Sequence, residues 1–264
     1  MADPRVSFMI PTRNHAQFIR TCIDSCLAQQ LPSYEIVVMD GASTDNTVEV
    51  LKSYGDKLRF VSEKDSGQSD AINKGIKAAR GEIIAWINSD DYYPNGDVLR
   101  RVLAKFDEAP DVDIVYGHGM MVDIEHKPLK RFEAYQINAL KEMAIHGRCF
   151  VAQPAVFFKR QLFLDVGGVA EGLHLAMDYD LWMRLFPAAR SRRFLDEDLA
   201  CIVSHQDAKS VHSVWKQIRE MHRIKRRYIP KLGLDAKDWV KLAMGEAVIY
   251  TYGIAVRTGL WKVT

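Results

Sequence analysis

The chain is expected to fold as an α/β protein: a mostly parallel sheet flanked by helices, followed by a helical C-terminal extension. Three observations predict this. Short β-rich runs alternate with amphipathic helical segments through the first half of the chain. The runs are about five residues long and the helical segments about ten, the dimensions of βαβ units whose sheet is covered on both faces. Near residue 120 the alternation stops and helical patterns take over.

Taken in order, the expected strands are Val6–Ile10, Glu35–Met39, Leu58–Ser62, Ile83–Ile87 and Asp113–Tyr116. Helical patterns lie between them at Ala16–Gln29, Thr47–Tyr54, Ser69–Ala79 and Asp97–Phe106. Asp45 and Asn46 before Thr47, and Asn95 before Asp97, are plausible helix caps. In the second half, helices are expected at Arg160–Asp165 and Tyr179–Phe186, with Gly167-Gly168 as a break between them and a late strand at Ala200–Val203. A basic helix over Val211–Arg227 and a final helix or helix pair over Asp235–Val256 complete the chain.

Composition bounds the class. The 264 residues are 48% hydrophobic, enough for one large core or two small ones. A charged fraction of 27% with 10% aromatics excludes a disordered chain. No apolar run approaches the ~18 residues of a spanning helix, and Met1–Pro11 does not read as a signal peptide. Cys22, Cys26, Cys149 and Cys201 make no metal-ligand spacing and read as buried reduced thiols, so a cytoplasmic setting is expected. From His205 onward there are 12 Lys and Arg against 5 Asp and Glu, a net +7, which leaves −5 for the first 204 residues. That acidic body excludes nucleic acid as a partner.

Ligands of open α/β sheets bind beyond the carboxyl ends of the strands, and four such ends here carry polar residues. The first, Pro11-Thr12-Arg13-Asn14, contains no glycine, so backbone cradling of a pyrophosphate is not expected and the phosphates need another counter-charge. At the second end, Asp40 can accept from a base or ribose, and Gly41 permits close approach; Asp45 and Thr47 read as turn and cap. The third leads through Asp65 and Gln68 into a helix whose first turns place Asp70 and Asn73 on one face. The fourth is Asn88-Ser89-Asp90-Asp91, two adjacent carboxylates delivered by an apolar strand with no cationic residue nearby. Such a pair suits Mg²⁺ or Mn²⁺ shared with substrate phosphates.

The series Pro11-Thr12-Arg13-Asn14, Asp40-Gly41-x-Ser43-x-Asp45-x-Thr47, Asp65-x-Gly67-x-x-Asp70-Ala71-x-Asn73-x-Gly75 and Asn88-Ser89-Asp90-Asp91 resembles family 2 glycosyltransferases of the GT-A fold. The resemblance spans roughly residues 5–205. It implies a Rossmann-like catalytic domain over 1–205, with a nucleotide-sugar-binding half at 1–118 and an acceptor-binding half at 119–205. Residues 206–264 are then a basic, amphipathic extension. The implied donor site draws on Pro11, Thr12, Asn14, Asp40, Gly41, Asp65, Gln68, Asp70, Asn88 and Asp90, with Asp40 on the base. The family's metal motif is usually Asp-x-Asp. Asn88 replaces its first carboxylate, which leaves either Asp90 or Asp91 as the ligand of Mn²⁺ or Mg²⁺.

Downstream, Gln153-Pro154-Ala155 and Met177-Asp178-Tyr179-Asp180-Leu181-Trp182 resemble the family's acceptor side. Gln153, Met177 and Trp182 are the implied acceptor-side residues. Met177 stands where the family usually has Glu; the following Asp is retained as Asp178, the implied general base of an inverting transfer. Asp178 also suits a helix cap, and both roles are compatible. His205 is a candidate metal ligand or diphosphate contact.

The expected reaction moves a sugar from a UDP-, GDP- or dTDP-sugar to a glycan or lipid-linked hydroxyl acceptor, in cell-envelope polysaccharide assembly. The basic segment and the aromatic-bearing final helix suit peripheral contact with the inner face of the cell membrane, or a partner in an oligomer. Two other classes are a sugar nucleotidyltransferase, which would need a Gly- and basic-rich first loop, and an inactive nucleotide-sugar or lipid-binding module.

Overall fold

The computed structural model describes residues 3–136, 144, 149, 151–206 and 213–257. Its centre is one eight-stranded sheet in the order β3-β2-β1-β4-β7-β5-β6, with β8 paired to β5. Strands β1 (Val6–Thr12), β2 (Tyr34–Asp40), β3 (Arg59–Ser62) and β4 (Ile83–Trp86) are mutually parallel, as the alternating pattern predicts. Helices α1 (Ile19–Leu27), α2 (Thr47–Lys52), α3 (Gln68–Ala78) and α4 (Val98–Phe106) connect or follow them.

The strands separate two cores through their two-residue period. Val6, Phe8 and Ile10 of β1, with Ile83 and Ala85 of β4, face a cluster that includes Ile19, Cys22, Ile23 and Cys26 of α1 and Val98, Leu99, Val102 and Leu103 of α4. Met9, Ile84 and Trp86 face the other side, where Ile72 and Ile76 of α3 pack. The i, i+3, i+4, i+7 spacing of the buried α1 residues explains why Cys22 and Cys26 are buried together. All four cysteines are free thiols.

Two strands were not expected. β7 (Val156–Lys159) inserts antiparallel between β4 and β5, with Phe158 opposite both Ile84 and Ile114. Its four residues are too short a run for periodicity to separate strand from helix. β6 (Pro128–Phe132) returns along β5. Strands β5 (Val112–Val122) and β8 (Ser191–Val203) pair in parallel and are far longer than their apolar cores suggested. Thus β5 crosses the expected boundary at 118/119 without a break. The sheet is mixed, with its parallel half where the donor site was expected.

Helices α5 (Arg160–Asp165) and α6 (Met177–Ala188) follow β7. The Gly167-Gly168 turn between them is held by Asn73: its amide donates to Val169 O at 2.9 Å and accepts from Val169 N at 2.8 Å. Gly168 has φ +71°, and a Cβ there would lie 2.6 Å from Asn73 Oδ1, so only glycine fits.

In the extension, α7 (Val214–Tyr228) is integrated into the body, with Ile224 fully buried in the second core. α8 (Ala236–Arg257) lies outside it and exposes Trp239, Val240, Met244 and Val248. Among the described residues no helix is long and apolar enough to cross a membrane.

Candidate active site at the strand ends

The loops after β1 and β2 are laced together. Asn14 N donates to Ser43 Oγ at 2.7 Å, Thr44 N donates to Asn14 Oδ1 at 2.8 Å, and Ala16 N donates to Asp45 Oδ2 at 3.1 Å. Asn14 and Ala42 both take positive φ, 54° and 55°. For alanine this conformation is strained, and such strain gathers at functional sites. Asp45 accepts from Thr47 N at 3.0 Å and so closes the turn before α2, whose N-cap, Asn46, makes no side-chain cap bond.

Asp40 is almost fully buried and its carboxylate is committed to the loop. It accepts from Ser43 N at 3.0 Å, from Ser62 Oγ at 2.5 Å and from Ser43 Oγ. Gly41 lies directly beneath Asp65, whose Oδ2 would be 2.6 Å from a Cβ at that position. Asp65 Oδ1 meanwhile accepts from Gly67 N. Asp70 accepts from Ser66 N and pairs with Lys74 at 3.1 Å, so it shapes the start of α3. Pro11 sits within β1 opposite Met39. Thr12 is different: its hydroxyl is buried and has no partner among the described residues.

After β4 the two carboxylates diverge. Asp91 is 4% exposed and accepts from Val203 N of β8 at 3.2 Å. Burial, and then the neighbouring Asp90 charge, push its carboxyl well above the ordinary range. The Asp90 side chain retains 20% exposure and meets His205 Nε2 at 3.1 Å. Burial would raise Asp90, but the His205 hydrogen bond and the fields of His15 and His205 outweigh it and hold the carboxyl below its ordinary value. His205 Nδ1 is buried without a partner among the described residues. Its ring lies 4.5 Å from Phe18 and 6.3 Å from His15.

Asn88 joins the donor-side and acceptor-side halves. Gln68 Nε2 donates to Asn88 Oδ1 at 3.0 Å, Asn88 Nδ2 donates to Gln153 Oε1 at 2.9 Å, and Gln153 Nε2 donates to Trp86 O at 2.6 Å. Three residues chosen from separate motifs thus form one amide chain along the floor of the site.

Asp178 stands in the first turn of α6, half-buried, with Tyr179 N donating to its Oδ1 at 2.8 Å. Burial pushes its carboxyl up to about 6. The two neighbouring acceptor-side candidates are placed differently. Met177 packs inward, its sulfur 3.3 Å from Ser69 Oγ. Trp182 is fully buried against Trp86, Phe158 and Phe186, and it builds core, with no face toward a ligand. The resemblance of its segment pointed to the acceptor side; its side chain follows the apolar stripe of α6.

Sequence reasoning missed His15 and Ser89. His15 Nδ1 lies 2.8 Å from Ser89 Oγ, which places an imidazole beside the Asp90 carboxylate. His15 directly follows the quoted first-strand motif, which was the available signal. Among the described residues, no group of three or more His, Cys, Asp or Glu side chains is gathered as a metal cage.

The arrangement is that of a GT-A glycosyltransferase, and known proteins agree. A model described as Glycosyl transferase family 2 matches residues 7–165, and the chain belongs to that family. An uncharacterized glycosyltransferase of Rickettsia typhi is 31% identical over 241 residues, covering 87% of this chain and 73% of the relative. A Mycobacterium bovis protein named PGL/p-HBAD biosynthesis glycosyltransferase is 29% identical, covering 70% of this chain and 71% of its own. Among solved structures, S. aureus TarS 1-349 in complex with UDP-GlcNAc superposes with TM-score 0.71 at 22% identity, over 91% of this chain and 71% of that one. The Pyrobaculum calidifontis mannosyltransferase in complex with GDP-Man and Mn²⁺ gives 0.66 at 19% identity, over 94% and 70%. At these identities the structural likeness establishes the fold.

Proposed function

We propose that the chain is an inverting glycosyltransferase that moves a sugar from a nucleotide-diphosphate donor to a hydroxyl acceptor, with Asp178 as general base. The observation that carries this is the place of Asp178, half-buried in the first turn of α6 in a chain of the Glycosyl transferase family 2. Its carboxyl, pushed up to about 6 by burial, is mostly ionised at pH 7 yet more basic than an ordinary aspartate. It can therefore take the proton of an acceptor hydroxyl as that oxygen attacks the anomeric carbon.

The donor is read as a UDP-, GDP- or dTDP-sugar. The unpartnered Thr12 hydroxyl supports a nucleoside contact at the end of β1. Asp40 supports it indirectly, by holding the Ser43 turn. The diphosphate belongs at Asp90 and His205. One carboxylate and one imidazole would suit a divalent cation shared with the donor, and the imidazole favours Mn²⁺ over the harder Mg²⁺. Asp90 and His205 would hold it, and when bound it supplies counter-charge for the leaving nucleoside diphosphate. The glycine-free first loop offers no backbone cradle for the phosphates. Gln68, Asn88 and Gln153 fix the floor on which the sugar sits.

The test is release of nucleoside diphosphate from a panel of UDP-, GDP- and dTDP-sugars with Mn²⁺ or Mg²⁺. Turnover of one donor, stopped by exhaustive chelation and restored by Mn²⁺, is the expected result. Release from no donor overturns the transferase reading, and activity that survives chelation overturns the metal.

The acceptor is read as a glycan or lipid-linked saccharide presented at a membrane surface. Basic Arg219, Arg223, Arg226 and Arg227 on α7 lie on the helix that precedes the exposed Val240, Met244 and Val248 of α8. This combination suits an anionic bilayer. The protein is expected to cosediment with phosphatidylglycerol vesicles, with part of the binding surviving high salt, and Val240→Glu with Met244→Glu is expected to abolish the salt-resistant part. Absence of binding by the wild-type chain contradicts the membrane reading.

A further inference from the structure

We propose that Glu220, on helix α7 of the C-terminal extension, is the positioning residue that sets Asp178 for proton transfer. The inference rests on the reading of Asp178 as general base. Helix α6 begins at Met177 with Ala176 as its N-cap, a residue whose side chain can accept no hydrogen bond. The backbone that leads into the helix, His174 to the N-cap Ala176, turns its N–H groups to one side, and N–H groups taken from water need partners. Glu220 supplies them from the following helix. Its Oε2 accepts from Leu175 N at 2.8 Å, Ala176 N at 3.1 Å and His174 N at 3.2 Å.

Three successive N–H groups on one buried carboxylate form an anion nest, and the negative charge sits at the positive end of the α6 dipole. Glu220 is 6% exposed and is the one acidic residue on a helix otherwise carrying Lys216, Arg219, Arg223, Lys225, Arg226 and Arg227. Solubility does not explain a buried carboxylate there; the trio of N–H groups does. Asp178 follows Ala176 by two residues, so the backbone that Glu220 grips is the backbone that aims the Asp178 carboxylate. α7 is thereby part of the catalytic apparatus as well as a covering helix.

The experiment compares Glu220→Gln, Glu220→Asp, Ile224→Ala and Asp178→Asn in the full chain, measuring transfer kcat, donor KM and thermal midpoint. Gln keeps the volume and one acceptor oxygen but removes the negative charge that the three N–H groups hold. Glu220→Gln is expected to lower transfer kcat about 10- to 100-fold, as small misplacements of a reacting group do, with donor KM within about twofold of wild type. Glu220→Asp keeps the charge and is expected to recover part of the loss; it carries the same test if the Gln variant does not fold. Ile224→Ala loosens the packing of α7 in the second core without touching the nest, and is expected to lower the thermal midpoint with kcat unchanged. If Glu220→Gln lowers only the midpoint, or moves kcat and donor KM together, the positioning role is overturned. If Asp178→Asn retains full transfer, the base assignment falls, and the role of Glu220 with it.

Discussion

Asp178→Asn is expected to lower transfer by about 10³-fold, within the range lost when a general base is removed, with donor affinity nearly unchanged. The variant is also expected to be more stable than the wild type at neutral pH. Asp178 titrates at about 6 in the folded chain against an ordinary value of 3.8. Its protonated form is therefore the one that folding favours. The stability it contributes is fully present below pH 4, is lost as pH rises from about 4 to about 6, and stays lost above. Ionising it costs on the order of 3 kcal/mol. Asn carries no charge and avoids that loss. Denaturation midpoints should thus favour the variant at pH 8 and converge with the wild type near pH 4. A functional group held at a cost to the fold is the usual trade between stability and activity. An Asn variant that is less stable than the wild type at pH 8 contradicts the burial of the charge.

The second large effect separates the two adjacent carboxylates. Asp90→Asn is expected to lower turnover by about 10²–10³-fold, the scale of losing electrostatic stabilisation of a leaving group. Metal-dependent stabilisation by UDP or GDP should vanish with it, since Asp90 is the partly exposed member that faces His205. Asp91→Asn should behave otherwise. Its side chain oxygen still accepts from Val203 N, and the substitution removes a charge disfavoured by burial and by Asp90. Most of the metal-dependent stabilisation should survive. Thermal midpoints with nucleoside diphosphate, with and without Mn²⁺, read both variants. The reverse pattern moves the ligand role to Asp91.

The parallel half of the sheet was legible because β1, β2 and β4 are largely apolar and buried and end abruptly in polar residues. That contrast at Ile10-Pro11-Thr12 and Ile87-Asn88 marked both the strands and the site. β7 was not legible: Val156–Lys159 is a strand only because β4 and β5 leave a place between them. The polar stretch Ser191–Asp198 of β8 reads as a loop, and its pairing with β5 is a tertiary fact. Within the site, Gln68, Asn88 and Gln153 were each named, but their single hydrogen-bonded chain depends on side-chain reach that spacing does not encode. Trp182 was named from the resemblance of its segment, while its side chain is fully buried in the core. Asp40 was recognised as important, yet its oxygens turn to the Ser43 turn and to Ser62. Glu220 was invisible as a capping group because it lies 44 residues beyond the Ala176 N–H it satisfies, inside a helix whose evident character is basic.

The central claim, that the Asp178 carboxylate accepts the acceptor's proton, is tested most directly by the pH dependence of kcat/KM for transfer. The wild type should show an acidic limb with an apparent pKa of about 6, the value burial confers on Asp178. The residual activity of Asp178→Asn should lack that limb. A limb of the same position and depth in the Asn variant, or a wild-type profile flat down to pH 5, would contradict it.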